Sequence, residues 1–377
     1  MERGKRVGKS SKNTSKTNNN IYMDLKEIIR EYALCYLPAK ALHRSVTVCR
    51  DWKLQISSPF FIHNQSISFR SVSGLFLQSP GSPPSFLSLD QMAYGVPDPE
   101  LKFLPEPVDV RASCNGLLCC QGRAGDRAYY VCNPVNKQWK KLPKPTASHG
   151  STPAIVLVFE PSLLNFVAEY KVVCLFPSTD IEEAYEFEIY SSAQDSWKVP
   201  GEMFFSKTSL CFDRGLCVNG VAYWPTNYYG KVTSFDLKKE RAVDIYGCYN
   251  TYTCGGAGSG SSLGEIDGKL CLASMRGLAI AVSVLQTIYA HTMPMNSKTR
   301  PWETKHQVQL KAADVKIEGS AQPRVLLTWD NVIVFQFGKR VFSHNLKTSE
   351  TTTLSENADI SSGCAVFPYV NSLVCLI

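Results

Sequence analysis

Asn115-Gly116-Leu117-Leu118-Cys119-Cys120, Asn219-Gly220-Val221-Ala222-Tyr223-Trp224 and Asp267-Gly268-Lys269-Leu270-Cys271-Leu272 are three copies of one short pattern. Each is a turn dipeptide leading into an apolar run. Asn-Gly and Asp-Gly tolerate positive φ at both central residues, which the tightest hairpin turns require. The glycines lie 104 and then 48 residues apart, so the pattern returns after two periods and then after one. A second pattern runs from an aromatic strand through a polar turn to Trp or a charged residue. It occurs as Tyr129–Cys132, Asn133-Pro134 and Trp139, and again as Tyr185–Tyr190, Ser191 and Trp197. Val232–Phe235 with Asp236-Leu237, and Val341–Ser343 with Asn345-Leu346, are weaker copies.

A repeat of about 50 residues with about four strands is the signature of a propeller blade. Residues 66–377 are therefore predicted to form an all-β domain of about six or seven blades, with an irregular sandwich or barrel as the alternative. Runs such as Ala154–Phe159, Tyr170–Phe176, Val325–Trp329 and Val332–Phe337 are rich in β-branched and aromatic residues, as strands require. Residues 79–99, rich in Ser, Pro and Gly, are expected as a surface loop. The apolar stretch Ser372–Ile377 is expected as a terminal strand that closes the ring.

Residues 21–65 read differently. Leu25, Ile28, Ile29, Tyr32, Ala33 and Tyr36 recur at helical spacing, with Lys26, Glu27, Arg30 and Glu31 opposite. Asp24 is a candidate N-cap. Pro38 should end this helix and open a second through Leu42 and Val46. A third short segment carries Cys49, Trp52 and Ile56 before Ser57, Ser58 and Pro59 interrupt it. Three short helices bury too little surface to stand alone, so they are expected to rest on the β domain, on a partner, or on both.

The chain has 377 residues and a net charge of +7. Within residues 1–20, six cations (Arg3, Lys5, Arg6, Lys9, Lys12, Lys16) face Glu2 alone, so most of that charge sits in a polar leader, expected to be disordered. Its bias suits a solvated tail, or a nuclear-import or weak polyanion-binding segment. Nucleic-acid binding by the folded part and a membrane span are not expected, and the location is expected to be cytoplasm, nucleus or both. The fourteen cysteines lie largely in apolar runs without a CxxC pair, so neither disulfides nor structural zinc is expected. Gly255–Ser262 is glycine-rich but lacks the Lys-Ser or Lys-Thr of a phosphate loop. Asp180, Glu182 and Glu183 read as a solvated loop cluster. No residue stands out as catalytic, and no cofactor or metal is expected.

The chain resembles plant F-box proteins that carry a kelch-like or F-box-associated β domain. The resemblance rests on Leu37-Pro38-Ala39-Lys40-Ala41-Leu42, Val46, Val48-Cys49-Arg50-Asp51-Trp52 and Ile56-Ser57-Ser58-Pro59-Phe60-Phe61. It continues in Ser113–Cys120 with Cys132-Asn133-Pro134 and Trp139. Two features depart from that pattern: Met23-Asp24 stands near the usual opening Leu-Pro, and Ser45 replaces a large apolar residue. The β domain also lacks apolar strands ending in Gly-Gly, the kelch hallmark. The resemblance implies a multidomain protein, a small all-α F-box of three short helices followed by a kelch-like β-propeller. It implies a non-catalytic substrate receptor of a ubiquitin ligase that docks a Skp-type adaptor and, through it, a cullin–RING ligase. Ile28, Ile29, Leu37, Pro38, Leu42, Val46, Cys49 and Trp52 would form the adaptor-binding ridge. Trp224, Tyr228, Tyr229, Tyr249, Tyr252 and Arg276, in or beside inter-strand loops, are candidates for contact with an unidentified target protein. The alternative is a stand-alone propeller scaffold or carbohydrate-binding module with a helical cap.

Overall fold

The computed structural model describes residues 25–162, 166–206, 215–226, 231–245, 261–286, 301–312, 315, 323–358, 360–361 and 363–376. After a helical segment, the described chain is a succession of antiparallel meanders. β1 (Val72–Gln78) and β2 (Ser85–Ser88) belong to blade one. Blade two comprises β3 (Val108–Cys114), β4 (Leu117–Gly122), β5 (Tyr129–Asn133) and β6 (Gln138–Lys141). Blade three has β7 (Ala154–Phe159), β8 (Tyr170–Pro177), β9 (Ala184–Ser191) and β10 (Ser196–Lys198), with β11 (Met203–Phe205) also pairing to β9. Blade four is β12 (Leu216–Val218), β13 (Val221–Pro225), β14 (Val232–Asp236) and β15 (Arg241–Ile245). Blade five is β16 (Ser261–Ile266), β17 (Lys269–Arg276), β18 (Ala279–Leu285) and β19 (Trp302–Gln309). Blade six is β20 (Arg324–Trp329), β21 (Val332–Phe337), β22 (Arg340–Asn345) and β23 (Thr351–Ser355). The last strand, β24 (Ala365–Val370), returns to pair with β1 and completes blade one.

The predicted turns fall at one structural position. Asn115-Gly116, Asn219-Gly220 and Asp267-Gly268 each join the first strand of a blade to its second, all with φ between 44° and 92°. The second sequence pattern is the turn between third and fourth strands, where Lys137, Asp195, Glu240 and Ser349 take positive φ in blades two, three, four and six. At three of these turns a carboxylate or amide oxygen fixes the chain, and in blade two Asn133 Oδ1 accepts from the Val135 amide. Asp236 Oδ1 accepts from the amides of Lys238 and Lys239, and Asn345 Oδ1 from those of Lys347 and Thr348.

First strands neighbour one another in the cyclic order β24, β3, β7, β12, β16, β20 and back to β24. Among the described residues this is a ring of six blades, a propeller and not a sandwich. Between β16 and β20 the approach becomes a parallel pairing at Gly264 and Thr328. A Cβ at Gly264 would sit 2.0 Å from the Thr328 carbonyl, so only glycine fits.

Each seam between neighbouring blades holds its own apolar cluster. Tyr129, Ile155 and Val172 fill the seam of blades two and three, Val156, Phe187, Trp224 and Phe235 that of three and four, and Val282, Phe335 and Phe342 that of five and six. A blade is thus apolar on both faces, and stacking is what buries them. Buried polar groups interrupt this scheme, Glu188 among them. Glu188, on β9, is fully buried and accepts from the Thr146 amide and hydroxyl (2.8 Å each), the Ala147 amide (3.3 Å) and His149 Nε2 (2.7 Å). Tyr129 Oη contacts the other ring nitrogen of His149 at 3.0 Å. The connection from blade two to blade three is thereby pinned to blade three.

Three expectations need correction. Residues 79–99 are not wholly a loop, because β2 lies within them and pairs with β1. The helical segment extends past residue 65 to Ser68, since Ser58 and Pro59 start a further helix and do not simply end the third. The closing strand is β24, and residues 371–376 after it form no strand; they run as a buried strap described next. Side chains meet most of their amides and carbonyls, with isolated backbone bonds at Asn371, Ser372 and Cys375, so no strand ladder forms.

Candidate docking face of the helical segment

The helical segment begins with α1 (Leu25–Ile28), which widens into a π turn (Ile29–Ala33) and tightens into a 3-10 turn (Leu34–Tyr36). Then follow α2 (Ala39–Ser45), α3 (Arg50–Ile56) and α4 (Pro59–Ser68). Pro38 precedes α2 in an extended conformation and cannot cap it with a side chain. The cap comes from a residue 331 positions away in the sequence. Asn371, directly after β24, accepts the Ala39 amide on its carbonyl (2.9 Å) and the Lys40 amide on Oδ1 (3.0 Å), and donates Nδ2 to the Gly95 carbonyl.

The fully buried Gln65 of α4 donates to the Leu37 carbonyl and accepts from the Leu373 amide. On the other side of the strap, the fully buried Asn133 donates to the carbonyls of Ser372 (3.0 Å) and Val374 (2.9 Å) while accepting from Val135 N and Tyr369 Oη. Residues 371–376 are therefore clamped between the helices and blade two. Leu34, Ala39, Leu42, Ile56 and Phe61 share one core with Phe76, Tyr130 and Tyr369 of the propeller.

This docking divides the expected ridge. Leu42 and Pro38 are buried within the protein. They hold the helices to the propeller and cannot be outward contacts, which corrects their assignment. Ile29, Leu37, Val46 and Trp52 are half-buried against the same core. Ile28 and Cys49 are exposed.

What faces outward is mostly a different set. Leu25, Ile28, Tyr32 and Tyr36, spaced three, four and four apart, are 67, 42, 61 and 63 % exposed. These four residues of the apolar stripe legible in the sequence are thus turned away from the propeller, while Ile29 of the same stripe packs against the shared core and the buried Leu34 lies outside it. Val48, Leu54 and Phe60 add exposed apolar side chains from the following elements. Sequence reasoning missed Val48, Leu54 and Phe60 as site residues because a helix pattern alone does not show which neighbour covers it.

Local capping explains α3 and α4. Cys49 Sγ accepts from the Trp52 amide at 3.5 Å and Ser58 Oγ from the Phe61 amide at 3.2 Å. A thiol is a weak acceptor. Cys49→Ser is expected to stabilise the protein by about 0.5–1 kcal/mol, seen as a small rise in Tm. Ser45, where a large apolar residue is usual in the resembled pattern, returns its hydroxyl to the Ala41 carbonyl.

Among the residues expected to touch a target, Trp224 is fully buried beside Phe187 and Phe235, which corrects that assignment. It shares one face of β13 with Ala222, and both lie in the seam of blades three and four. Arg276 is exposed at the end of β17. Tyr228, Tyr229, Tyr249 and Tyr252 lie outside the described residues, as do Asp24 and the glycine-rich stretch up to Gly260.

A cavity of about 680 Å³ opens where α4 meets blades three and four, walled by Ile62, His63, Phe166 and Leu237. Its charges offset one another, Glu160 and Glu169 against Lys171 and Lys238.

The family model of the F-box associated β-propeller domain matches residues 98–375. The chain belongs to the F-box-associated β-propeller family. Its helical segment is the F-box that precedes the propeller. An F-box protein of Arabidopsis thaliana is 37% identical over 113 residues, 29% of this chain and 30% of the relative. A second Arabidopsis thaliana F-box protein is 30% identical over 251 residues, 60% of this chain and 57% of that one. A putative F-box/kelch-repeat protein of the same plant is 26% identical over 57% of each chain. Across most of these matches the chain spans about half the length of the relatives. Among solved structures, a chain of a nidogen/laminin complex aligns at 9% identity with a TM-score of 0.44, over 80% of this chain and 99% of that one.

Proposed function

We propose that this F-box protein is the substrate-receptor subunit of a cullin-type ubiquitin ligase. It is itself non-catalytic, docking a Skp-type adaptor through the exposed apolar face of its helices and offering the propeller to a target protein. The observation that carries this reading is the exposed stripe Leu25, Ile28, Tyr32 and Tyr36 on a segment whose other side is firmly packed. An exposed amphipathic helix face of this kind suits a partner groove. The reading gives the protein no chemistry of its own. Its contribution is proximity, by holding a target near a charged ubiquitin, and its setting is cytoplasm, nucleus or both.

Co-purification with a Skp-type adaptor tests the proposal. Leu25→Asp combined with Tyr32→Asp is expected to weaken adaptor binding about a hundredfold with Tm unchanged, since both side chains are exposed. Leu42→Ala is the contrasting variant. It is expected to cost about 2–5 kcal/mol of stability, so a binding loss there reports unfolding and not a lost contact. Wild-type protein that captures no adaptor refutes the proposal.

A further inference from the structure

On the propeller face away from the helices, a cavity of about 380 Å³ lies between blades one and two. β24 fixes the geometry. Its first residue, Ala365, lines this cavity, whereas the strap that follows its last residue caps α2 at the other face. Three arginines line the cavity, Arg111, Arg123 and Arg127, against one carboxylate, Asp109. Asp109 is shared: Oδ1 accepts from Arg123 Nε at 2.8 Å and Oδ2 from Arg111 Nη2 at 3.3 Å. Gln121 Oε1 accepts from Arg111 Nε, and the Ser151 carbonyl from Nη2. Arg123 is further held by the carbonyls of Gly81 and Ser82.

Two guanidinium planes are thus fixed by the fold, and the cluster keeps an excess of positive charge. Burial pushes the Arg111 guanidinium down, Asp109 opposes that, and the like charge of Arg127 adds to it. Arg127 is exposed, on the turn between β4 and β5, and forms no ion pair or hydrogen bond through its side chain among the described residues. Asp109 balances one of the three guanidinium charges, and an acidic ligand group would offset the excess that is left. The walls also include Val110, Pro80 and Phe367, so the cavity offers apolar surface beside its cations. A single small oxyanion would leave most of the space empty. Two acidic side chains with their methylenes match both the charge excess and the volume.

We infer that this cavity binds an acidic peptide segment of a partner protein, with two neighbouring carboxylates set against Arg111 and Arg127. The inference rests on the receptor reading above and names the chemistry of the target that the reading leaves open.

Fluorescence anisotropy with labelled hexaglutamate, on the full chain, tests it, with labelled hexaglutamine as the reference. Hexaglutamate is expected to bind at least tenfold more tightly. Arg127→Glu should remove that preference and Arg127→Lys should largely keep it. The basic leader could attract a polyanion by itself, so binding that survives Arg127→Glu overturns the inference. Equal binding of the two peptides overturns it as well. A phosphoserine-containing hexapeptide that binds more tightly than hexaglutamate overturns the paired-carboxylate assignment. Adaptor capture measured on the same samples separates the two claims. Intact capture without hexaglutamate preference sinks only this inference, and hexaglutamate preference without capture sinks only the ligase reading.

Discussion

Glu188→Ala is expected to lower folding stability by about 3–5 kcal/mol, the largest effect of any single substitution considered. The carboxylate is fully buried and receives four hydrogen bonds, from Thr146 (two), Ala147 and His149. Its removal strands those donors inside the seam of blades two and three. Burial alone would raise the pKa of Glu188, but the bonds from His149, Thr146 and Ala147 together outweigh it and hold the carboxyl below its ordinary value. The sign of the pH dependence follows. A depressed carboxyl contributes stability above its unfolded pKa, and that contribution is lost as pH falls through the lower folded value. Wild-type protein should therefore lose stability in acid below about pH 4 more steeply than Glu188→Gln. Chemical denaturation at pH 7 and at a series of acidic values measures both quantities. Equal stability of wild type and Glu188→Ala at pH 7 would remove the argument.

Asn133→Ala is the second large effect, expected at about 3 kcal/mol. The side chain donates to two carbonyls of the strap and accepts from Val135 N and Tyr369 Oη, all in the interior. Asn133→Asp discriminates this account from simple loss of volume. Aspartate keeps the shape but turns a donor into an acceptor opposite the carbonyls of Ser372 and Val374. It should be at least as damaging as alanine at neutral pH. A carboxyl there would titrate above its ordinary value, so the Asp variant should recover stability as pH falls, the reverse of the behaviour at Glu188. Thermal melts of the three proteins at pH 7 and pH 4.5 give the comparison. An Asp variant as stable as wild type at pH 7 would show that the strap does not depend on the donor.

The propeller was legible because its turns demand specific chemistry. Asn115-Gly116, Asn219-Gly220 and Asp267-Gly268 sit where left-handed backbone is required, and so they mark one place in three blades. The apolar stripe of Leu25, Ile28, Tyr32 and Tyr36 was equally visible. Its direction was not, since exposure depends on Leu34 and Leu42 being taken up by Phe76 and Tyr369 from remote parts of the chain. Trp224 ends the apolar run Val221–Trp224, and its place beside a loop made it a target candidate. Ala222 and Trp224 share one face of that strand, and the seam buries both. The anchoring roles of Gln65, Asn133 and Asn371 were hidden, because each also bonds a partner hundreds of residues away that no local pattern shows. The arginine cavity was hidden likewise, being assembled from positions between 78 and 367.

Asn371 carries one more consequence. The amides of Ala39 and Lys40 belong to the first turn of a seven-residue helix, which in isolation would fray within microseconds. Here both are bonded to the residue that follows the ring's closing strand. Their exchange with deuterated solvent therefore waits on opening of the propeller itself, and they should rank with the slowest amides of the β-sheets instead of with the helix ends.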